Sequence, residues 1–109
     1  MATSGMDYMN RGGGGVELTT ALMKASVSLP NTFTTISGVT PVEGMLITVV
    51  GTVSNTYGGA LLVKNGEIVE LSDSSFSYKA KGQISNGALQ LRQAWSSSAQ
   101  NCALIIAQP

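Results

Sequence analysis

Apolar and polar positions alternate most regularly between residues 45 and 54, in the stretch MLITVVGTVS. One face of this stretch carries large apolar side chains and one glycine, while the other mixes apolar side chains with threonines. Because side chains alternate between the two faces of a strand and β-branched residues favour strands, the stretch predicts a strand buried mainly on one side. The predicted buried face consists of Met45, Ile47, Val49, Gly51 and Val53.

A β-hairpin is predicted in residues 60–71, ALLVKNGEIVEL, around the pair Asn65 and Gly66. Asn-Gly is the favoured pair for a two-residue type I′ turn, whose central residues both need positive φ. With the turn at this place, an opposite-charge pair stands at the hairpin end and apolar pairs follow it. The predicted cross-strand pairs are Lys64 with Glu67, Val63 with Ile68, and Leu62 with Val69.

Further short strands and turns are predicted along the rest of the chain. The clearest segments are residues 27–29, 76–80, 89–95 and 102–107, with a turn at Pro30-Asn31 and a second turn or a strand entry at Asn86-Gly87. Gln93 interrupts the apolar side of its segment, whereas residues 102–107, CALIIA, are apolar on both faces and predict an interior strand. About seven short strands without long amphipathic helices indicate an all-β fold, as a compact antiparallel sandwich, a jelly roll or a small barrel.

The start of the chain predicts an extended or flexible arm over residues 1–24, followed by a β domain over residues 25–109. Residues 1–15 have no clear period, and residues 16–26 fit either one helical face or a continuation of the arm. Glycine adopts backbone conformations that other residues avoid, so the glycine run predicts a hinge between arm and domain. The hinge residues are Gly12, Gly13, Gly14 and Gly15.

The low charge content favours a domain that assembles with other molecules over one that stays free in solution. Only 11% of the residues are charged, with six basic and six acidic side chains, against roughly 25% in ordinary soluble domains. Few charges give little repulsion between molecules and lower the cost of covering the surface. We therefore expect a homo-oligomer or a protein whose surface is partly contacted by neighbours, and the alternative is a free monomer with an adhesive surface.

Several partners and locations are expected to be absent. The chain has no run of Lys or Arg, so nucleic acid is not an expected partner. Residues 1–10 lack the basic flank and apolar run of a signal peptide, and no stretch has the roughly 18 apolar residues of a membrane span. The lone Cys102 cannot form an internal disulfide, which fits synthesis in the cytoplasm.

No catalytic, cofactor-binding or metal-binding residues are predicted, and the protein is not expected to be an enzyme. The glycine run lacks the following lysine of a phosphate loop and the spacing of a dinucleotide fingerprint. Histidine is absent, which removes the commonest general base and leaves no transition-metal set with a single cysteine. Glu67 and Glu70 fall on opposite faces of their strand, so no carboxylate pair for glycosidase chemistry is evident.

The aromatic residues leave one binding hypothesis open. Trp95 with Tyr57 or Tyr78 could form a platform on which a sugar ring stacks. The alternative is that Phe76 and Trp95 belong to the core and that Tyr57, beside Gly58-Gly59, lies in a loop.

In overall layout the chain resembles small bacteriophage virion proteins, in particular capsid cement or decoration proteins. The resemblance lies in the arm MATSGMDYMNRGGGG, followed by a Ser/Thr/Gly-rich β domain that ends on the apolar segment CALIIAQP. It implies a jelly-roll or barrel-like domain that oligomerises and clamps neighbouring capsid subunits. The expected partner is the major capsid protein or another virion protein, and the expected location is the virion, after synthesis in the host cytoplasm.

In this interpretation the arm extends over a neighbouring subunit and anchors there through apolar residues. The predicted anchors are Met6, Tyr8, Met9, Val16 and Leu18. Two alternatives remain open at this point. One is a tail, fibre or head-tail component of a phage, and the other is a carbohydrate- or receptor-binding β-sandwich module.

Overall fold

The computed structural model describes residues 18–52, 57–71 and 78–109, which form eight strands and no helix. These strands lie in two antiparallel sheets, one of five strands and one of three. In chain order the strands are β1 Thr19–Leu29, β2 Thr34–Thr35, β3 Leu46–Gly51, β4 Gly58–Lys64, β5 Glu67–Glu70, β6 Ala80–Ser85, β7 Ala88–Gln93 and β8 Gln100–Gln108. The all-β prediction is confirmed.

The larger sheet has the order β1-β8-β3-β4-β5, so β3 is its central strand. The alternation that predicted this strand is confirmed, because Met45, Ile47 and Val49 are buried and Gly51 is buried with them. Val53, the last member of the predicted face, lies outside the described residues. The opposite face of β3 is more open, and its Val50 is 38% exposed.

Two Asn-Gly turns define the two hairpins of the structure. Asn65 and Gly66 have φ of 56° and 76°, and Asn86 and Gly87 have φ of 51° and 77°, as a type I′ turn requires. The first turn joins β4 to β5 with all three predicted cross-strand pairs. The second joins β6 to β7, with Ser85 opposite Ala88. The hairpin prediction is confirmed.

The smaller sheet has the order β2-β7-β6 and contributes Leu89 and Leu91 to the core. These side chains form one buried cluster with residues of the larger sheet. Gly82 of β6 allows this contact, since a Cβ there would lie about 3.1 Å from side-chain atoms of both Leu61 and Leu91. The full cluster is Leu29, Ile36, Met45, Ile47, Val49, Leu61, Val63, Ala80, Leu89, Leu91, Cys102, Leu104 and Ile106.

The last strand, β8, lies between β1 and β3, as its apolar run predicted. Its burial, however, alternates. Cys102, Leu104 and Ile106 are fully buried, whereas Ile105 is 41% exposed. The strand is therefore interior to its sheet, but only one of its faces is covered by the core.

The largest differences from the sequence-based segment boundaries lie at β1 and β6. Strand β1 already begins at Thr19, so residues 19–24, assigned above to the arm, pair with β8. The strand predicted at residues 76–80 starts later, because β6 runs from Ala80 to Ser85, while Lys79 makes a single bridge to Gly58. Phe76 lies outside the described residues.

Candidate functional site

The larger sheet has one face in the core and one facing outwards, and the register defines the residues that share the outward face. The first row crosses all five strands, and the second crosses four and ends at Leu71, directly after β5. The first row is Thr20, Ala107, Leu46, Leu62 and Val69. The second is Met23, Ile105, Thr48, Ala60 and Leu71, the last of which donates its N–H to the carbonyl of Ala60. A shorter third row holds Ala103, Val50 and Gly58. We call these three rows the outer face.

The outer face is apolar and open to solvent. Five of the eight large hydrophobic side chains that are most exposed among the described residues belong to it: Met23 at 65%, Leu71 at 52%, Ile105 at 41%, Val69 at 39% and Val50 at 38%. Thr20 and Thr48 are its polar members, and the three rows contain no charged residue. Contiguous exposed apolar surface of this kind marks interaction sites in soluble proteins.

Among the described residues, charged side chains lie at the tip of the β4–β5 hairpin, beyond the first row. Lys64 and Glu67 stand opposite each other there. Both carboxylate oxygens of Glu43 accept a hydrogen bond from the backbone N–H of Asn65, at 2.9 and 3.0 Å. These groups form a polar rim at one end of an apolar surface, which is the arrangement typical of protein interfaces.

A second candidate is a cluster of three aromatic side chains, Tyr57, Tyr78 and Trp95, which we call the aromatic cluster. The ring centroids of Tyr57 and Tyr78 are 4.6 Å apart, and those of Tyr57 and Trp95 are 5.5 Å apart. The sequence hypothesis of a platform named these same three residues, and the fold does bring them together.

Backbone hydrogen bonds hold the aromatic cluster in place. The N–H of Gly58 donates to the carbonyl of Tyr78 at 3.0 Å, and the N–H of Gly51 donates to the carbonyl of Tyr57 at 2.7 Å. Gly58 has φ of 130°, and a Cβ there would overlap the backbone of Val49, so this position requires glycine.

Gln93 supports the aromatic cluster from inside. Its side chain is fully buried, and its Oε1 accepts hydrogen bonds from the N–H groups of Trp95 and Ser96 at 2.9 and 2.8 Å. Its Nε2 donates to the carbonyls of Ser96 and Ser98, both at 2.9 Å. The glutamine that interrupts the apolar pattern of β7 is therefore the residue that shapes the loop carrying Trp95.

The geometry of the rings favours packing over sugar binding. A centroid distance of 4.6 Å with an interplanar angle of 31° means that Tyr57 and Tyr78 partly cover each other's faces. Trp95 packs against the core, and its Nε1 is shielded from solvent and has no hydrogen-bond partner in the described part of the chain. Only Tyr78, which is 47% exposed, offers much ring surface to a ligand.

Three charged side chains of the described residues form a small network at the edge between the sheets. Glu70 of β5 forms ion pairs with Lys79 at 2.9 Å and with Lys81 of β6 at 3.2 Å. The hydrogen bond from Lys79 is the main reason why the pKa of Glu70 lies below its ordinary value, and Lys81 adds to this effect. The network fastens β5 to β6 rather than presenting a free carboxylate.

Other candidate chemistry is weak in the parts of the chain that the structure describes. Cys102 is buried, and this burial raises the pKa of its thiol, so the thiolate that reacts or binds metals is disfavoured. No group of three or more His, Cys, Asp or Glu side chains there is placed to hold a metal ion. The same residues include no helix able to cross a membrane.

An open groove of about 430 Å³ lies between β1 and β2. Serine and threonine side chains line most of it, together with Lys24, Val27 and Ile36. It marks the place where the edges of the two sheets stand side by side without pairing to each other.

The predicted site residues fall into two groups. Asn65 and Gly66 form the predicted turn, and Leu18 is half-buried directly before β1. The remaining predicted anchors Met6, Tyr8, Met9 and Val16, and the hinge glycines Gly12, Gly13, Gly14 and Gly15, lie outside the described residues. Their roles stay predictions.

The outer face was not found from the sequence, although a signal for it exists. Leu46 and Val50 appear in the pattern as apolar residues on the open side of β3, and Ile105 appears on the second face of an apolar run. These positions become one surface only when the strand order and register are known.

Comparison of the chain with protein-family models, with curated protein sequences and with solved structures gives no significant match.

Proposed function

We propose that this chain is a non-enzymatic structural protein of a bacteriophage virion, of the capsid cement or decoration type. In this role its β domain self-associates and, together with its N-terminal arm, clamps neighbouring capsid subunits. The observation that carries the proposal is the outer face, an uncharged apolar surface that crosses all five strands of the larger sheet. The virion setting rests on the resemblance of the chain's layout to such proteins.

The physical advantage of such a surface lies in assembly. Covering the outer face removes apolar side chains from water, and its three rows bring no charge that would lose its hydration. Each contact made by a chain of this size is modest, but many copies arranged on one particle act together. A weakly charged protein of this kind suits a crowded lattice better than free solution.

The arm extends the clamp beyond the domain. Met6, Tyr8 and Met9 precede the glycine hinge, and Val16 and Leu18 follow it before β1 begins at Thr19. An arm that becomes ordered on its partner loses chain entropy, which lowers the affinity of each single contact. Apolar anchor residues and the number of copies offset this loss.

At the level of fold, we propose a Greek-key sandwich of the two sheets. The strands β3, β4 and β5 are consecutive neighbours, and β8 returns beside β3 after the excursion through β6 and β7. The order β8-β3-β4-β5 is thus that of a Greek key, which most β-sandwiches contain. One core cluster with members from both sheets supports this arrangement.

The proposal is tested by asking whether the chain is part of a particle. The gene would be expressed with its neighbouring genes, and particles would be purified by density gradient and analysed by quantitative mass spectrometry. We expect a fixed ratio of this chain to the major capsid protein. Label confined to the tail by immunogold microscopy would instead favour a tail, fibre or head-tail component, and absence from all particles would contradict a virion role.

Deletion of residues 1–15 tests the clamp itself. We expect the shortened chain to remain folded but to be lost from particles, because the arm supplies contacts that the domain lacks. A full-length chain with Met6, Tyr8 and Met9 replaced by serine serves as the matched variant, since it keeps the arm's length and removes only the anchors. Normal incorporation of both variants would rule out the arm as a clamp.

A second candidate function, carbohydrate binding, has one observation in its favour, the exposed ring of Tyr78 in the aromatic cluster. If it is correct, binding on a glycan array is lost on Tyr78→Ala and kept on Phe33→Ala, which changes an exposed ring elsewhere. Equal loss in the two variants, or no binding at all, would exclude the aromatic cluster as a sugar site.

A further inference from the structure

We propose that the partner of the outer face is the outer face of a second copy of this chain, packed sheet on sheet about a two-fold axis that passes near Thr48. The inference rests on the proposed assembly function and specifies one contact within it. It follows from the charge, the size and the central residue of the surface.

The absence of charge makes the surface compatible with itself. In a two-fold interface the same patch faces its own copy, so any charge near the axis meets a like charge. The three rows of the outer face contain none. Lys64 and Glu67 lie beyond the first row, so sheet packing leaves them at the rim, where they stay hydrated.

The size of the surface is below that of a typical stable dimer. Five strands at the usual spacing of about 4.8 Å give a width of about 24 Å. Three rows at about 6.6 Å per row give a length of about 20 Å, and because the third row spans only three strands, the face covers about 400 Å² on each copy. Two copies together bury about 800 Å², which is below the roughly 1,000 Å² from which a stable specific interface is expected and in the range of weak, transient contacts.

This area predicts a weak dimer rather than a permanent one. The chain is therefore expected to be monomeric when dilute and dimeric when concentrated, as it is on an assembling particle. A second copy supplies an uncharged apolar face of the same size without any further partner. Sheets that pack face to face keep their strands within about 30° of alignment, about 10 Å apart.

Thr48 provides the sharpest test, because it lies on the central strand of the sheet and in the middle row of the outer face. If the two-fold axis passes there, Thr48 of one copy faces Thr48 of the other. Thr48→Lys and Thr48→Glu each place like charges against each other, and each is expected to weaken association at least about tenfold. An equimolar mixture of the two variants is expected to associate again, because opposite charges then meet.

The measurement is sedimentation velocity over a range of concentrations from micromolar to millimolar. The unmodified chain is expected to rise from 11.2 kDa towards twice this mass. Phe33→Ser, which changes an exposed apolar residue that is not part of the outer face, is the control and is expected to leave the association unchanged. Met23→Lys, at the edge of the face, is a second disrupting variant in case a charge on β3 impairs folding.

Three outcomes would overturn the inference. The first is a chain that stays monomeric at millimolar concentration, and the second is a dimer that all outer-face variants leave intact. The third is a mixture of Thr48→Lys and Thr48→Glu that does not associate. If the chain without residues 1–15 dimerises while the full chain does not, the arm of the same chain covers the face instead.

These results are separable from the proposed function. A chain that is monomeric in solution but present in purified particles would remove the second copy as the partner of the outer face and leave the virion role standing. A specific dimer that is absent from all particles would contradict the virion role and leave the second copy standing as the partner of the outer face.

Discussion

Gln93 is the residue at which the apolar pattern of the chain and its structure conflict most visibly. A polar side chain at a fully buried position costs free energy unless its hydrogen-bonding groups find partners. Both ends of the amide are used, by two backbone N–H groups and two backbone carbonyls of the loop at residues 95–98. The side chain therefore contributes little apolar burial, but its hydrogen bonds fix the shape of the loop and thereby the position of Trp95.

Replacing Gln93 by leucine tests this role. Gln93→Leu keeps the size of the side chain but leaves buried backbone groups without partners, which costs roughly 1–3 kcal/mol for each group that water cannot reach. We expect the free energy of unfolding, measured in urea, to fall by at least about 2 kcal/mol. Gln90→Leu is the control, because Gln90 is only half-buried in the same strand and bonds to Gln83 and Thr35.

A loss for Gln90→Leu as large as that for Gln93→Leu would contradict this account. It would mean that any polar-to-apolar change in β7 disturbs the fold, whatever the side chain contacts. A shift in tryptophan fluorescence is expected for Gln93→Leu alone, since only that residue holds the backbone of Trp95.

At the scale of single strands, the apolar sequence of β8 supplies side chains both to the core and to the outer face. Leu104 is fully buried, while its neighbour Ile105 is 41% exposed on the outer face. The alternation follows from the geometry of a strand, whose successive side chains point to opposite sides. An apolar segment in the middle of a sheet therefore does not imply that both faces are covered.

Alanine substitutions at Leu104 and Ile105 measure how differently the two side chains contribute to the free energy of unfolding. Leu104→Ala leaves a cavity in the core and is expected to lower the free energy of unfolding by about 2–5 kcal/mol. Ile105→Ala removes a similar volume from a half-open surface and is expected to cost less than about 1 kcal/mol in dilute protein. Equal losses in chemical unfolding would show that the outer face is covered within the single chain.

The edge between β5 and β6 is fastened by ions rather than by a ladder of backbone hydrogen bonds. Glu70 is held by Lys79 and Lys81, and these partners lower the pKa of its carboxyl in the folded chain below the ordinary value of 4.5. A lowered folded-state pKa means that the stabilisation is present above the ordinary pKa and is lost as the pH falls through the folded-state value.

The direction of this pKa change predicts how the effect of Glu70→Gln on the free energy of unfolding depends on pH. At pH 7 the unmodified chain is expected to be more stable than the variant by about 0.2–1 kcal/mol, the range of exposed ion pairs. Below pH 4.5 the difference is expected to shrink as the carboxylate gains its proton. Urea unfolding of both chains at pH 7 and pH 3 measures this difference. In a chain that also carries Lys79→Met, Glu70→Gln is expected to have a smaller effect at pH 7. A constant difference at both pH values would contradict the ion-pair account.

For the whole molecule, the domain is expected to be stable without its arm. Strand β1 begins at Thr19 and is held by β8 along most of its length, so the contacts of the sheet start after the glycine run. Deleting residues 1–15 is expected to change the free energy of unfolding by less than about 0.5 kcal/mol, as for changes outside the packed structure. A large loss of stability in thermal or urea unfolding would show that the arm belongs to the domain.

Much of the fold could be predicted from the sequence where local chemistry is strong. The turn at Asn65 and Gly66 determines the register of its hairpin, and the alternation from Met45 to Gly51 determines which side of β3 is buried. The candidate surfaces were harder to predict from the sequence. The three rings of the aromatic cluster could be named as a group, but their mutual packing could not be foreseen, because it depends on backbone bonds between Tyr57, Tyr78 and distant strands.

The sequence by itself determined the all-β class, the hairpin at Asn65 and Gly66 and the alternating burial of the central strand, since these follow from turn chemistry and from a period of two residues. Only the tertiary structure decided the strand order, which sets β8 between β1 and β3. That order carries Met23, Ile105 and Leu71 onto one surface from places far apart in the chain. The physical reason is that pairing between distant strands depends on how the whole core closes, which no local pattern records.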